Sequence, residues 1–230
     1  MIHDGHRERL RNRFLEAPES FEDHELLELL LFYSIPRANT NDVGHSLLDR
    51  FGSLSGILNA DVSALTQVDK LGEKSAIFIR VISEILKRYS LEPFDTSSLL
   101  ESPETLKSFL CALFVGTDNE KAYLLLFSKS RRLITCQLLS EGYCVANTIT
   151  MRDISLSSIG SNAAYAILVH NHPGGKPIPS GEDIATTNIV RSTLRTNGIT
   201  MLEHFIVAGN SCEPIMNTAP NMIYEPKRKK

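Results

Sequence analysis

Apolar positions recur at helical spacing through the first part of this chain, and strand-like runs join them only beyond it, which divides the chain. Glu25-Leu-Leu-Glu-Leu-Leu-Leu-Phe-Tyr33 is dense enough in apolar residues for a buried helix, with Ile35-Pro36 as its stop. Val43, Leu47 and Leu48 recur at helical spacing behind Asn39 and Thr40, either of which suits an N-cap, and Phe51-Gly52 closes that helix. Another short helix starts over 53–58. Beyond Pro103 strand-like runs appear. Residues 121–128 and 133–139 read as hairpin partners across Lys129-Ser-Arg-Arg132. Ala166-Ile-Leu-Val169 reads as a buried strand, and 200–207 as a further strand before a turn at Gly209-Asn210. Between them, 104–114, 152–161 behind Thr150, and 184–197 closed by Gly198 read as helices. The stretch SLEPFDTSSLLESP, 90–103, breaks the helical pattern with two prolines and several Ser and Thr residues. The expected organisation is an all-helical domain over 1–92, a linker over 93–103 and an α/β domain over 104–230.

The apolar run at 166–169 ends in His170-Asn171-His172, and Pro173-Gly174-Gly175 then turns the chain. Strand side chains alternate faces, so His170 and His172 point one way and Asn171 the other. Ser180 stands just before a helical pattern, and Asp183 falls in its first turn. Two imidazoles and a carboxylate meeting there form an N,N,O set. On zinc such a set leaves a fourth tetrahedral position open, as catalytic sites do. Ser180 and Asp183 also have the spacing of a capping box, which needs no metal. The histidine pair favours the metal, because burying two imidazoles together without a partner is costly.

A length of 230 residues fits one or two domains, and 42% hydrophobic content suffices for a core. The net charge of −3 gives no global field for nucleic acid, so any such contact rests on local patches. One local candidate is HRERLRNRF, where Arg7 and Arg11 share one helix face and Arg9 and Arg13 another; Glu8 and Glu16 offset that charge. It reads either as a phosphate-contacting helix or as a solvated face. No apolar run approaches the ~20 residues that span a bilayer, and the charged MIHDGHRERL has no signal-peptide core. The expectation is a cytoplasmic chain without membrane contact. Cys111, Cys136, Cys144 and Cys212 are widely spaced, with no CxxC pair, and read as reduced thiols.

His170-x-His172-Pro173, followed by Ser180 and Asp183, resembles the JAMM (MPN+) metalloprotease motif. The wording ILVHNHPGG…PSGEDIA resembles the RadC family more closely still. That likeness extends to HRERLRNRF, LLELLLFYSIPRANTND and FGSLSGIL, nearly the whole chain. The resemblance implies a three-layer α/β sandwich of the JAMM type and a zinc-dependent peptidase or isopeptidase, with Zn2+ on His170, His172 and Asp183 and a protein or peptide as substrate. It also implies a glutamate as general base, in a segment resembling Pro-Arg-Glu-Val. Met151-Arg152-Asp153-Ile154 matches that segment, so Asp153 stands at the glutamate position with ~1.5 Å less reach. Ser180 matches the hydroxyl that steadies the oxyanion. Glu141, Glu182 and Glu203 are further acids, and His204 reads as a core histidine rather than a fourth ligand.

Residues 65–80 resemble a helix-hairpin-helix, an element that contacts DNA phosphate through backbone N–H groups at a helix start. Leu71-Gly72 and Ala76 match it, while Lys70 replaces the usual first hairpin glycine. Lys70, Gly72 and Lys74 are the candidate nucleic-acid contacts, with Arg80 as added charge. The family is named for DNA repair. Three functions follow: a JAMM-class hydrolase with a DNA-touching helical domain; a non-catalytic DNA-associated module with a structural metal; or a metal-dependent nuclease. The literal string His-Asn-His does not support the last, because HNH nucleases hold those residues far apart. Clustered carboxylates for a two-metal site are also lacking. The sequence names neither the substrate nor the oligomeric state.

Overall fold

Side-chain caps and apolar stripes set the helices of the amino-terminal half. In the computed structural model, which describes residues 2–36, 39–117, 119–142 and 149–224, the chain divides into two compact units, Met1–Leu86 and Lys87–Lys230. The first holds α1 (Ile2–Glu16), α2 (Asp23–Leu31), α3 (Thr40–Phe51), α4 (Leu54–Asn59) and α5 (Val62–Leu65); α6 (Glu73–Leu91) begins there and runs past the division. Glu22 and Glu25 form a reciprocal capping box at α2, and Asn39, Ser53 and Asp61 cap the next three helices. Gly52, at φ +77°, ends α3 in the left-handed conformation that glycine adopts without strain. Leu27 and Leu31 of α2 meet Val43 and Leu47 of α3, and Ile57, Leu65, Ala76 and Ile79 complete that core. At Gly44 a Cβ would lie 2.8 Å from the His24 carbonyl, so α2 and α3 approach at backbone distance. Buried Glu28 ties three helices together: it accepts from Asn41 Nδ2 at 2.8 Å and bonds His6 Nε2 at 2.9 Å.

Two of the four α1 arginines turn inward. Arg7 donates to the Ile35 carbonyl at 2.8 Å and stacks over Phe32. Arg13 pairs with Glu25 at 2.6 Å and lies over Phe21. These cations serve the helical unit itself, because a guanidinium satisfies a carbonyl or carboxylate while its flat face covers an aromatic ring.

The second unit is built on a sheet of order β2-β1-β3-β4-β5. Its elements are α7 (Pro103–Ala112), β1 (Lys121–Phe127), β2 (Leu133–Glu141), α8 (Met151–Ser158), β3 (Tyr165–Asn171), α9 (Gly181–Thr196), β4 (Thr200–Ala208), β5 (Ser211–Pro214) and α10 (Pro220–Ile223). All pairings are antiparallel except β3 with β4, which α9 connects. A parallel pair needs such a crossover. β1 and β3 are apolar along both faces, as central strands between two layers must be. Tyr123, Leu125 and Phe127 of β1 pack with Ile167 and Val169 of β3 and with Leu106, Phe109 and Leu110 of α7. The alternate residues Ala122, Leu124 and Leu126, with Ala166 and Leu168, pack instead with Ile154 of α8 and Val190 and Leu194 of α9. Helices thus cover both faces, and the unit is the expected three-layer α/β sandwich.

Within 90–103 the chain is more than connection. Leu99 and Leu100, in a short 3-10 turn, are buried in the α7-side core beside Leu106 and Phe109. Their apolar side chains gain by burial what the prolines and serines deny them as helix. Cys111, Cys136 and Cys212 are free thiols, while Cys144 lies outside the described residues. Among the described residues no helix is long and apolar enough to cross a membrane.

Candidate metal centre

The site grows from the carboxyl end of β3. His170 follows Leu168 by two residues and therefore faces the α8–α9 layer. His172, one step past the strand, stays beside β4 because its N–H donates to the Val207 carbonyl at 2.8 Å. Asn171 points to the other face, where Oδ1 accepts from Lys121 N–H at 2.7 Å and Nδ2 donates to the Asn119 carbonyl at 3.1 Å. Gly174, at φ +65°, lets the chain turn immediately after the pair. The following loop leads to Ser180, the N-cap of α9, and brings Asp183 over the histidines.

His170 Nε2 lies 3.0 Å from His172 Nε2 and 3.0 Å from Asp183 Oδ1, and His172 Nε2 lies 3.6 Å from Asp183 Oδ2. Ligand pairs on tetrahedral zinc, each ~2.0–2.1 Å from the ion, stand about 3.3 Å apart, and the observed spacings bracket that. These three side chains form the one candidate metal group among the described residues. The protons are tied back. His172 Nδ1 faces the Lys176 carbonyl at 3.1 Å. A carbonyl only accepts, so the neutral ring carries its proton there and presents Nε2 as a bare lone pair. Two imidazole nitrogens and a buried carboxylate aimed at one another are a group that could hold a metal ion.

The capping and ligand readings of Asp183 both hold, on different oxygens. Oδ2 accepts from the Ser180 N–H at 2.8 Å and hydroxyl at 2.7 Å, while Oδ1 faces His170. Burial opposes ionisation of this carboxyl, but the His170 contact and the Ser180 bonds outweigh it and hold Asp183 well below the usual carboxylate range. The His170 contribution needs positive charge between the two atoms, whether a proton or a metal ion.

His204 on β4 is buried behind the site, with Nε2 at 2.8 Å from His170 Nδ1 and Nδ1 at 2.6 Å from the Thr187 hydroxyl. Burial first, and then the neighbouring His170, lower its pKa well below the ordinary histidine value. Thr187 had no signal of its own in the sequence beyond lying one helical turn after Asp183, on the same face.

Other singled-out residues have different partners. Asp153 sits at the third position of α8, where Oδ2 accepts from the Thr150 hydroxyl at 2.5 Å and the Thr150 N–H at 3.2 Å. Those hydrogen bonds lower its pKa. Glu203 is completely buried and accepts from the backbone N–H groups of His204, Met216 and Thr218 at 2.7–2.8 Å. Glu141 pairs with Lys121 at 2.9 Å on the edge strand. In the helical unit Lys70, Gly72 and Lys74 are exposed around the start of α6. Lys70 is held at φ +64°, the glycine-like conformation of the position it occupies. Arg80 is drawn away from them, donating to the Leu58 carbonyl at 2.7 Å.

Comparison with known proteins agrees with this architecture. The family model described as "RadC-like JAB domain" matches residues 100–216. The UPF0758 protein FN0909 of Fusobacterium nucleatum is 32% identical over 216 residues, covering 90% of this chain and 93% of its own length. The UPF0758 protein HEAR2468 of Herminiimonas arsenicoxydans is 30% identical over 187 residues, covering 81% and 84%. With a JAB domain spanning the sheet and the histidine-aspartate group at its centre, the chain belongs to the RadC family.

Proposed function

We propose that the carboxyl-terminal unit is a zinc-dependent hydrolase of the JAMM class, cutting peptide or isopeptide bonds. The observation that carries this reading is the convergence of His170 Nε2, His172 Nε2 and Asp183 Oδ1, with His172 Nδ1 and Asp183 Oδ2 occupied elsewhere. Bound there, Zn2+ would supply Lewis acidity that lowers the pKa of water and polarises a carbonyl. Asp153 is the proposed base, taking a proton from the attacking water and returning it to the leaving amine. Its carboxylate accepts from the Thr150 N–H at the start of α8, which packs against α9, the helix of Asp183. Ser180 orients Asp183 in the ground state. Its oxyanion role requires the hydroxyl to leave Oδ2 as charge develops on the substrate. The three free thiols fit a reducing, cytoplasmic setting.

The test is cleavage of a mixed peptide library by the zinc-loaded protein. Asp153→Ala should lower the rate ~100–10,000-fold, the usual worth of a general base. Asp153→Glu, which restores the missing reach, should raise it up to ~100-fold. Zinc-loaded wild type and Asp153→Glu that both leave every peptide intact would favour the non-catalytic module.

We also propose that the start of α6 contacts the DNA backbone, as in helix-hairpin-helix elements. Exposed Gly72 supports this, since its missing Cβ leaves backbone N–H groups open to a phosphate, with Lys70 and Lys74 adjacent. Binding of duplex DNA by the full chain should weaken steeply with salt; binding indifferent to salt would contradict phosphate contact. Lys70→Gly, which removes one of the two adjacent cations, should weaken it. The same change should stabilise the helical unit by about 0.5–1 kcal/mol, the left-handed penalty less the chain entropy of glycine, as read from urea unfolding.

A further inference from the structure

We propose that Thr187 and His204 are positioning residues that hold His170 in the one tautomer able to bind metal. This role rests on the metal reading of the site. The order of protons follows from oxygen chemistry. Thr187 Oγ1 lies 2.6 Å from the Asp183 carbonyl, which has no proton to give, so the single hydroxyl proton of Thr187 lies between them. Thr187 must then accept from His204 Nδ1, also 2.6 Å away. A neutral His204 protonated on Nδ1 has its lone pair on Nε2. That nitrogen meets His170 Nδ1 at 2.8 Å, and the bond requires the proton of His170 to sit on Nδ1. His170 Nε2 is thereby left bare, aimed at Asp183 Oδ1 and His172 Nε2, each 3.0 Å away.

Three elements build this relay. Thr187 lies one turn beyond Asp183 on α9, so the helix that supplies a ligand also supplies the start of the proton order. His204 pairs with Leu168 across β3 and β4 and so sits diagonally from His170 on the same face. Reversing the relay would leave the 2.6 Å contact between Thr187 and the Asp183 carbonyl without a hydrogen and place a proton on His170 Nε2.

The test uses full-length protein and two readouts. Long-range proton–nitrogen correlation on metal-free, 15N-labelled wild type should find both His170 and His204 protonated on Nδ1. Zinc titration against a chelator should then show Thr187→Val weakened ~10–100-fold, as for other partners that orient a metal ligand, with Thr187→Ser restored to near wild type. A His170 that carries no proton on Nδ1 overturns the relay on the wild type alone, without reliance on any variant folding. Wild type that binds Zn2+ while Thr187→Val binds it equally overturns this role and leaves the hydrolase reading standing. Wild type that takes up no Zn2+ overturns both.

Discussion

His172→Ala should purify without zinc, while the wild type should carry about one per chain. Partners that only orient a ligand cost ~10–100-fold in affinity, so loss of a direct donor should exceed ~100-fold. The substitution is clean. The His172 side chain is one-fifth exposed, and among the described residues its ring bonds, beyond the site, only the Lys176 carbonyl on the following loop. The metal-free fold should therefore survive. A thermal readout separates the two proteins further. Free Zn2+ at a hundred times its dissociation constant should stabilise the wild type by about 2.7 kcal/mol. For a chain of this size that raises the melting temperature by roughly 5–10 °C. His172→Ala should show no such rise, although its metal-free melting temperature should match the wild type. Equal zinc content in the two proteins would remove the basis of the proposed chemistry.

Glu203→Ala should unfold the sheet unit far more readily than any change at the metal site. The carboxylate is fully buried and is the shared acceptor for three backbone N–H groups, one on its own strand and two on the segment after β5. Alanine strands all three, the His204 N–H buried and those of Met216 and Thr218 partly so. An unsatisfied buried donor costs about 1–3 kcal/mol, and partial relaxation should bring the total to roughly 3–5 kcal/mol. The melting temperature should fall by about 6–20 °C. Glu203→Gln keeps an acceptor for some of these donors and should lose less than half as much. A Glu203→Ala protein as stable as wild type would mean that the 211–218 segment is held by something other than this carboxylate. The same bonds explain why Glu203 is no substitute for the general base: both of its oxygens are fully engaged by the backbone.

Local periodicity made much of the fold readable. The buried runs of β1, β3 and β4, the hairpin of β1 with β2, and the caps at Asn39 and Thr150 all follow from residues within a few positions of one another. Elements that depend on distant partners were not readable. β5 is four residues with one buried side chain, and α10 is a single turn held where Arg131 reaches the Met222 and Ile223 carbonyls. Leu99 and Leu100 looked like connecting chain because their only helical support is a short turn; their value lies in the core they enter. The α1 arginines looked like a basic face because nothing in their spacing reveals Phe32, Phe21 and Glu25 opposite them.

The site divides in the same way. A strand period of two aligns His170 with His172, and a capping box places Asp183 in the first turn of α9; both are short-range rules, so the residue order alone determined them. Which sheet face α9 covers is a packing outcome, and only the tertiary structure decided it. Burial of Val190 and Leu194 against Leu124 and Leu168 brings the Asp183 carboxylate over the imidazoles and leaves one oxygen for the cap and one for the site. His204 and Thr187 join for the same reason. They come from a neighbouring strand and the crossover helix, and the direction of a proton along Thr187, His204 and His170 exists only once three separate elements are pressed together.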